Sequence, residues 1–224
     1  MPVQAPAEGF EARVARMLGH FASSASAIVA RQLSAYCDLV VTWNQRVDLT
    51  AARSADELVD LLLADALAIA GATEALSSAG TATSNAREQW LDVGSGVGAP
   101  GIPLALLLPL DMTLVEPREK RVAFLRTAVG SLSRADITVR RARSDQFDDA
   151  SCAVAVSRAT LPPAEWLTEG ARLANRGVWL LLAKAELPEI GSRRILADVR
   201  YRWPLTGAER RAVCVSAGTD PVGA

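Results

Sequence analysis

Several residue types on which common catalytic and metal sites depend are scarce in this sequence of 224 residues. His20 is the single histidine, and the three cysteines are Cys37, Cys152 and Cys214. The cysteines are widely spaced and form no C-x-x-C pair, which argues against a disulfide framework and against a zinc site. We therefore expect no bound metal, and we expect His20 to be a surface or packing residue rather than a catalytic one.

Long apolar runs and a strong excess of one charge are also missing. No apolar stretch approaches the roughly 18 residues of a membrane-spanning helix, and no cationic segment followed by an apolar one opens the sequence. A cytoplasmic protein with no membrane partner is expected. The net charge of −1 excludes a polycation that binds nucleic acid through overall charge, whereas a local basic face stays possible.

The first third of the sequence has the apolar periodicity of helices. An amphipathic pattern with alternating spacings of four and three predicts a helix over residues 27–47. Ser54 to Glu57 has the S-x-x-E form of a capping box, which predicts a second helix running to Ala70 and ended by Gly71. Residues 72–89 are rich in Gly, Ser, Thr and Ala and lack apolar periodicity, so we expect an exposed linker there.

From Trp90 onward, short apolar segments alternate with helical patterns, as in βαβ units around a parallel sheet. The predicted strands are residues 90–93, 112–116, 137–140, 153–157 and 178–183, and the tail offers two more in YRWPL and RAVCVS. The sequence thus predicts an α/β protein with a Rossmann-like domain over residues 90–224 and an N-terminal helical extension over residues 1–71. With 50% apolar residues this length suits one compact unit, which we expect to be a monomer.

The stretch LDVGSGVGAPGIP, residues 91–103, follows the first predicted strand. Its glycines allow a sharp turn from strand into helix and a close approach of the backbone to a ligand. Glu116 lies at the end of the next predicted strand, where a carboxylate can accept hydrogen bonds from both ribose hydroxyls of a nucleoside. The loop and Glu116 together predict a site for an adenosine cofactor.

Two features favour S-adenosylmethionine over a dinucleotide, although the G-x-G-x-x-G pattern alone would also suit a dehydrogenase. Asp92 ends the strand, where its charge suits a cationic methionine group and would repel a pyrophosphate. Pro100 and Pro103 remove backbone N–H groups from the helix start, where a pyrophosphate would normally bind. The site is therefore interpreted as that of a methyltransferase.

Several further segments carry a resemblance: DVGSGVGAPGIPLA at residues 92–105, KRVAFLR at 120–126, SRA at 157–159, WN at 43–44, LT at 49–50 and DAL at 65–67. Together they resemble a known family, the 16S ribosomal RNA guanine-N7 methyltransferases, once called glucose-inhibited division protein B. The resemblance implies a class I S-adenosylmethionine-dependent fold, a mostly parallel seven-stranded sheet with an N-terminal helical extension. It further implies methylation of a guanine in 16S ribosomal RNA, with that RNA or the small ribosomal subunit as partner. Guanine N7 carries an exposed lone pair, so the reaction requires alignment rather than a general base.

The loop argument and the resemblance together name three groups of candidate site residues. The catalytic candidates are Arg158 and Ser157. The expected cofactor-binding residues are Asp92, Gly94, Gly96, Gly98, Ala99, Glu116, Ala142, Arg143, Asp145 and Arg158. The expected substrate-binding residues are Asn44, Arg118, Lys120, Arg121 and Lys184.

Three departures from the family pattern leave alternatives open. The chain has Arg143 where relatives usually carry Glu, Leu61-Leu62 where they carry Arg-His, and Ala185 after Lys184 where they carry Gly. A methyltransferase of the same fold acting on a small molecule or protein is one alternative. A degenerate member that binds nucleoside or ribosome without turnover is the other.

A local phosphate-binding face is also expected, because loops after successive parallel strands gather at one edge of the sheet. The basic residues predicted to converge there are Arg118, Lys120, Arg121, Arg140, Arg141, Arg143 and Arg158.

Overall fold

A computed structural model describes residues 3–77 and 87–218 of the chain. The N-terminal part is helical and the remainder alternates strands with helices, as the sequence predicts. The elements in chain order are α1 (Glu11–His20), α2 (Ala27–Asn44), α3 (Ala55–Val59), a π-helical turn (Asp60–Ala64), α4 (Asp65–Leu76), β1 (Glu88–Val93), α5 (Gly101–Leu107), β2 (Leu110–Val115), α6 (Glu119–Ser131), β3 (Ile137–Arg140), β4 (Cys152–Ser157), α7 (Pro163–Leu173), β5 (Ala174–Leu182), β6 (Ile195–Arg202) and β7 (Glu209–Ser216).

The strands form one seven-stranded sheet in the order β3-β2-β1-β4-β5-β7-β6. The first five strands are parallel, and β7 runs antiparallel to both β5 and β6. This mixed sheet with flanking helices confirms the predicted fold class. The carboxyl ends of β1, β2 and β4 lie side by side at one edge, where open α/β sheets bind ligands.

Neighbouring residues of the central strands pack into two hydrophobic clusters on opposite faces of the sheet. The cluster that includes the N-terminal helices, α5 and α6 takes Trp90, Val154 and Trp179, whereas the cluster around α7 takes Leu91, Ala155 and Val178. Both faces are thus covered, which explains why these strands read as continuous apolar runs.

The helical extension shares its core with the sheet domain. Ser26 caps α2 by accepting a hydrogen bond from the Val29 N–H, and the helix ends at Asn44 rather than at residue 47. Tyr36 on α2 is fully buried, and its hydroxyl donates to the carbonyl oxygen of Val97 at 2.7 Å. Because Val97 belongs to the glycine-rich loop, α2 directly supports that loop.

The predicted helix end at Gly71 is wrong, because α4 continues to Leu76. Ser54 does cap this helical segment, accepting from the Glu57 N–H at 3.1 Å. A glycine inside a helix costs only about 1 kcal/mol relative to alanine, and good packing of the helix outweighs that cost. The predicted linker over residues 72–89 is therefore helical up to Leu76, its last residues belong to β1 from Glu88, and residues 78–86 lie outside the described part of the chain.

Candidate functional site

The glycine-rich loop between β1 and α5 has a backbone that only glycine adopts without strain. Gly94, Gly96 and Gly98 have φ values of +71°, +57° and +89°. A Cβ atom at Gly94 would lie 2.2 Å from Thr160 Oγ1, and one at Gly98 would lie 2.6 Å from Ile102 Cδ1. At Gly96 a Cβ atom would lie 3.7 Å from Arg121 Nη1 and from the Gly94 carbonyl oxygen, an ordinary van der Waals distance, and this glycine borders the open space between the surrounding segments.

That open space is a cleft of about 460 Å³ at the carboxyl edge of the sheet, which we call the loop cleft. Five parts of the chain meet around it: residues 49–51, the π-helical turn at Leu61, the glycine loop, the end of β2 with the start of α6, and the segment after β4. Its lining includes Leu49, Thr50, Ala51, Leu61, Gly94, Ser95, Gly96, Val97, Ala99, Glu116, Pro117, Arg118, Arg121, Arg158, Ala159 and Thr160.

Glu116 joins the glycine loop to the start of α6. Its Oε2 accepts from the Gly96 N–H and its Oε1 from the Arg118 N–H, each at 2.9 Å. An ionised carboxylate offers about four acceptor positions, so two stay available for ligand hydroxyls. The residue lines the loop cleft and is only 3% exposed, which fits the predicted contact with a ribose.

Asp92 lies beneath the loop rather than on the cleft surface and is 1% exposed. Its Oδ2 accepts from the Gly101 N–H at 3.1 Å, which uses the backbone donor at the start of α5. Its Oδ1 has no hydrogen-bond partner among the described residues. Burial raises the pKa of Asp92 to about 7, although the Gly101 N–H and the charge of Arg158 oppose the rise. A buried oxygen without a donor suits a cationic group.

Asn44 supports the loop cleft from outside it. Its Oδ1 accepts from the N–H groups of Leu49 and Thr50 at 2.9 and 3.0 Å, and its Nδ2 donates to the Thr50 carbonyl at 3.3 Å. Because Leu49 and Thr50 line the cleft and Asn44 does not, the geometry indicates that Asn44 shapes a wall of the site.

Arg158 lies at the boundary between the loop cleft and a second space of about 300 Å³, which we call the aromatic cavity. The guanidinium donates to the Leu61 carbonyl and to Asp65 Oδ2, the latter at 3.3 Å. The Arg158 side chain is 20% exposed, so it stays reachable from the cleft. The aromatic cavity is lined by Leu61, Asp65, Ser157, Arg158, Ala159, Leu161, Pro163, Trp166, Leu180, Leu181, Leu182, Ala183, Tyr201, Trp203 and Arg210.

Comparison with known proteins shows which family the chain belongs to. The sequence model described as rRNA small subunit methyltransferase G matches residues 29–200. The chain belongs to the rRNA small subunit methyltransferase G family. Ribosomal RNA small subunit methyltransferase G of Halorhodospira halophila is 34% identical over 167 residues, which cover 70% of this chain and 74% of the relative. The protein of the same name from Neisseria meningitidis serogroup A is 31% identical over 192 residues, covering 83% and 87%.

A solved structure shares the fold of this methyltransferase family member. The crystal structure of magnesium protoporphyrin IX methyltransferase from Synechocystis PCC 6803, with bound S-adenosylmethionine, superposes with a TM-score of 0.54 at 15% identity. The superposition covers 87% of this chain and 99% of that one. At such low identity the likeness shows the architecture alone.

Ser157, a predicted catalytic residue of this methyltransferase, has its hydroxyl engaged by the fold. Its Oγ donates to the Val93 carbonyl at 2.7 Å, and the residue is 4% exposed. The bond ties the end of β4 to the end of β1. The geometry therefore supports a structural role for Ser157 and gives its predicted catalytic role no support.

Several predicted residues do not line the loop cleft. Gly98 is buried inside the turn, and Ala142, Arg143 and Asp145 lie in the segment after β3. Arg143 and Asp145 are exposed and pair with each other at 3.6 Å, which directs their charges to each other. The predicted cofactor contacts of this segment stay untested.

The predicted basic face converges in part. Arg118, Arg121 and Arg158 line the loop cleft, whereas Lys120 and Lys184 are exposed residues outside its lining. The remaining arginines of the face, at positions 140, 141 and 143, are also exposed. Arg141 pairs with Glu119 at 3.0 Å, and Arg143 pairs with Asp145.

Across residues 3–77 and 87–218, no group of three or more His, Cys, Asp or Glu side chains is arranged to hold a metal ion. In the same part of the chain, no helix combines the length and apolar character needed to cross a membrane.

Proposed function

We propose that this chain transfers a methyl group from S-adenosylmethionine to N7 of a guanine in 16S ribosomal RNA of the small ribosomal subunit. Family membership supports ribosomal RNA as the substrate class. The observation that carries the proposal is the convergence of the glycine loop, Glu116 and Arg158 on one cleft that adjoins the aromatic cavity.

The residues of the loop cleft fit the proposed cofactor. Glu116 has acceptor positions for the ribose hydroxyls, and the open space at Gly96 allows a ligand to approach the backbone. Asp92 lies beneath the loop and outside the cleft lining, so its proposed contribution to holding the cationic methionine end is the charge of its unpartnered carboxylate oxygen. S-adenosylmethionine, when bound, supplies a methyl group that is electrophilic because it is attached to a sulfonium.

The aromatic cavity is the proposed place for the target base. It shares Leu61, Arg158 and Ala159 with the loop cleft, so a base in the cavity would lie next to the cofactor. The N7 atom of guanine carries no proton, so the chain need only align it and exclude water. The walls of the aromatic cavity are mostly apolar, which agrees with the need to exclude water.

The departures from the family pattern are compatible with turnover. Arg143 lies outside the loop cleft lining, so the change from Glu at that position leaves the cleft intact. Leu61 lines both spaces, and its backbone carbonyl rather than its side chain holds Arg158. These observations favour an active enzyme over a degenerate binding protein.

The substrate assignment is tested by mapping N7-methylguanine in small-subunit RNA from cells with and without this gene. We expect one modified guanine in 16S RNA to disappear with the gene. Identical maps, together with binding of S-adenosylmethionine by the purified protein, would favour the alternative of a small-molecule or protein substrate. Identical maps without cofactor binding would favour the non-catalytic alternative.

Substitution of Glu116 tests the ribose contact. Glu116→Ala is expected to weaken S-adenosylmethionine binding by about 1–3 kcal/mol, the usual cost of a lost charge-assisted hydrogen bond. Isothermal titration calorimetry measures this, and the matched control is Glu119→Ala at the first residue of α6, outside the cleft lining. Equal affinities for the wild type and Glu116→Ala would remove Glu116 from the cofactor site.

Substitution of Asp92 tests the buried charge through its pH dependence. The folded state raises the pKa of Asp92 from 3.8 to about 7, so the folded state binds the proton more tightly than the unfolded state does. Ionised Asp92 therefore destabilises the folded state. This loss of stability is absent below the unfolded pKa and grows with rising pH until the pH passes about 7. Asp92→Asn, which cannot ionise, should gain about 2–4 kcal/mol of stability relative to wild type between pH 5 and pH 8, since one pKa unit is about 1.4 kcal/mol.

Urea denaturation of both proteins across this pH range gives the difference directly, whatever constant offset the substitution adds. Asp145→Asn, at a carboxyl that is 67% exposed, serves as the control substitution. A difference between wild type and Asp92→Asn that does not change with pH would contradict the raised pKa. Cofactor affinity of Asp92→Asn should also fall, because the cationic end loses its anionic partner.

A further inference from the structure

Asp65, the first residue of α4, is a buried carboxylate that receives three side-chain donors. Its Oδ1 accepts from the Tyr201 hydroxyl at 2.8 Å and from the Trp203 indole Nε1 at 3.2 Å. Its Oδ2 accepts from Arg158 Nη1 at 3.3 Å. The residue is 3% exposed, so these bonds replace the water that the carboxylate loses on folding.

The donors come from parts of the chain that are far apart in sequence. Arg158 follows β4, whereas Tyr201 and Trp203 belong to the C-terminal hairpin of β6 and β7. Burial and the nearby Asp65 charge raise the pKa of Tyr201 well above its ordinary value, so its phenol stays protonated and donates. The two bonds from the hairpin leave Asp65 with a fixed oxygen directed to Arg158.

Arg158 is also held by the π-helical turn that precedes Asp65. Its Nη1 donates to the Leu61 carbonyl as well as to Asp65. Turns of this kind occur often at functional sites. Both bonds use Nη1, and Nε and Nη2 have no acceptor among the described residues. One side of the guanidinium is thus fixed to the protein, and its other nitrogens stay available at the boundary of the two spaces.

We propose that Asp65 is a positioning residue for methyl transfer, which holds the Arg158 guanidinium between the loop cleft and the aromatic cavity so that its remaining donors face the target base. The inference rests on the proposed function. It assigns the C-terminal hairpin a part in the reaction, because Tyr201 and Trp203 fix the carboxylate that fixes Arg158.

Asp60 provides a matched control within the same segment. It is a fully buried carboxyl of the π-helical turn and also accepts from the C-terminal hairpin, from the Leu205 N–H at 3.2 Å, the Thr206 N–H at 2.8 Å and the Thr206 hydroxyl at 2.7 Å. It makes no recorded bond to Arg158. Asp60 and Asp65 therefore share the task of joining helix to hairpin, and only Asp65 reaches the site.

The experiment is a double-mutant cycle in full-length protein. Asp65→Asn, Asp60→Asn and Tyr201→Phe are each made in the wild-type and in the Arg158→Ala background. Single-turnover transfer of a tritiated methyl group to small ribosomal subunits that lack the modification measures the rate, and urea denaturation measures stability. Saturating cofactor and subunit concentrations separate the rate from binding.

Asp65→Asn is expected to lower the single-turnover rate about tenfold in the wild-type background and less than about twofold in the Arg158→Ala background, because residues that act as a unit are not additive. Tyr201→Phe, which removes one bond to Asp65 while keeping the ring, should lower the rate about threefold with the same dependence on Arg158. Asp60→Asn should reduce stability and leave the rate of the folded protein unchanged in both backgrounds.

The outcomes distinguish the inference from the proposed function. Equal fold-losses for Asp65→Asn in the two backgrounds, or equal rates for Asp65→Asn and Asp60→Asn, would overturn the positioning role while leaving the proposed function intact. If Asp65→Asn does not fold, Tyr201→Phe decides by the same criterion. A wild type that transfers no methyl group to small subunits would overturn the proposed function and the positioning role together.

Discussion

Arg158→Ala is expected to lower the rate of methyl transfer to 16S ribosomal RNA by at least about 100-fold, because misalignment of reacting groups by about 1 Å has effects of this size. Arg158 is the residue that lines both the loop cleft and the aromatic cavity with a charged side chain. Its loss removes the donor at the boundary and leaves the apolar walls in place. Cofactor affinity should change only a few-fold, since Glu116 and the glycine loop stay intact.

Arg118→Ala is the matched control for Arg158→Ala, because it separates loss of RNA binding from loss of the methyl-transfer rate. Arg118 lines the loop cleft with an exposed side chain, so its loss should mainly weaken RNA binding and flatten the dependence of binding on salt. Single-turnover rates, cofactor titrations and RNA binding at several salt concentrations separate the two effects. Full activity of Arg158→Ala on ribosomal RNA would leave Arg158 with only its structural ion pair to Asp65.

The glycine loop and the positions of the first strands were predictable because local sequence determines them. Short apolar segments indicated β1, β2, β3 and β4 to within a few residues, and the loop glycines occupy conformations that side chains disfavour. Glu116 follows from its place at the end of the neighbouring strand. In each case the responsible residues lie on one strand, one turn or adjacent parallel strands.

The contacts that escaped prediction join segments far apart in the chain. Asp65 meets Tyr201 and Trp203 only after α4 packs against β6, and no periodicity indicates which carboxylate a distant hydroxyl will reach. Asn44 is a different case, because the resemblance placed it among the substrate-binding candidates while its amide could equally brace a buried corner of the site. The structure shows its Oδ1 accepting from the Leu49 and Thr50 N–H groups, which agrees with bracing, and the substrate contact stays a prediction. Packing between elements decides such cases, whereas propensity and spacing do not.

The helix end predicted at Gly71 was wrong for another reason. A glycine after an apolar helix usually marks its end, because the residue following the helix often adopts a positive φ. The stop signal is only about 1 kcal/mol strong, and the buried first part of α4, residues 65–70, anchors a helix that overrides it. Residues 71–76 are exposed or half-buried, so the helix continues on its own hydrogen bonds, with Ala72 packed against the core.

Gly96→Val is expected to weaken S-adenosylmethionine binding severely, by about 50-fold or more, while the protein stays folded. Gly96 combines a φ of +57° with open space on the cleft side, so a side chain there is strained and also occupies the ligand's volume. Gly191 has a φ of +61° with nothing within 4 Å of its Cβ position, and it lies outside the cleft lining.

Gly191→Val therefore reproduces the backbone strain of Gly96→Val without blocking the site. Both variants should lose about 1–2 kcal/mol of unfolding free energy, the usual cost of a left-handed conformation for a residue with a Cβ. Only Gly96→Val should lose cofactor affinity, by about 50-fold or more, because a branched side chain removes the close approach that the turn provides. Calorimetric titration and urea denaturation of the two variants decide the matter. Retained binding by Gly96→Val would place the cofactor away from this loop, and equal loss of binding by Gly191→Val would show that strain alone is responsible.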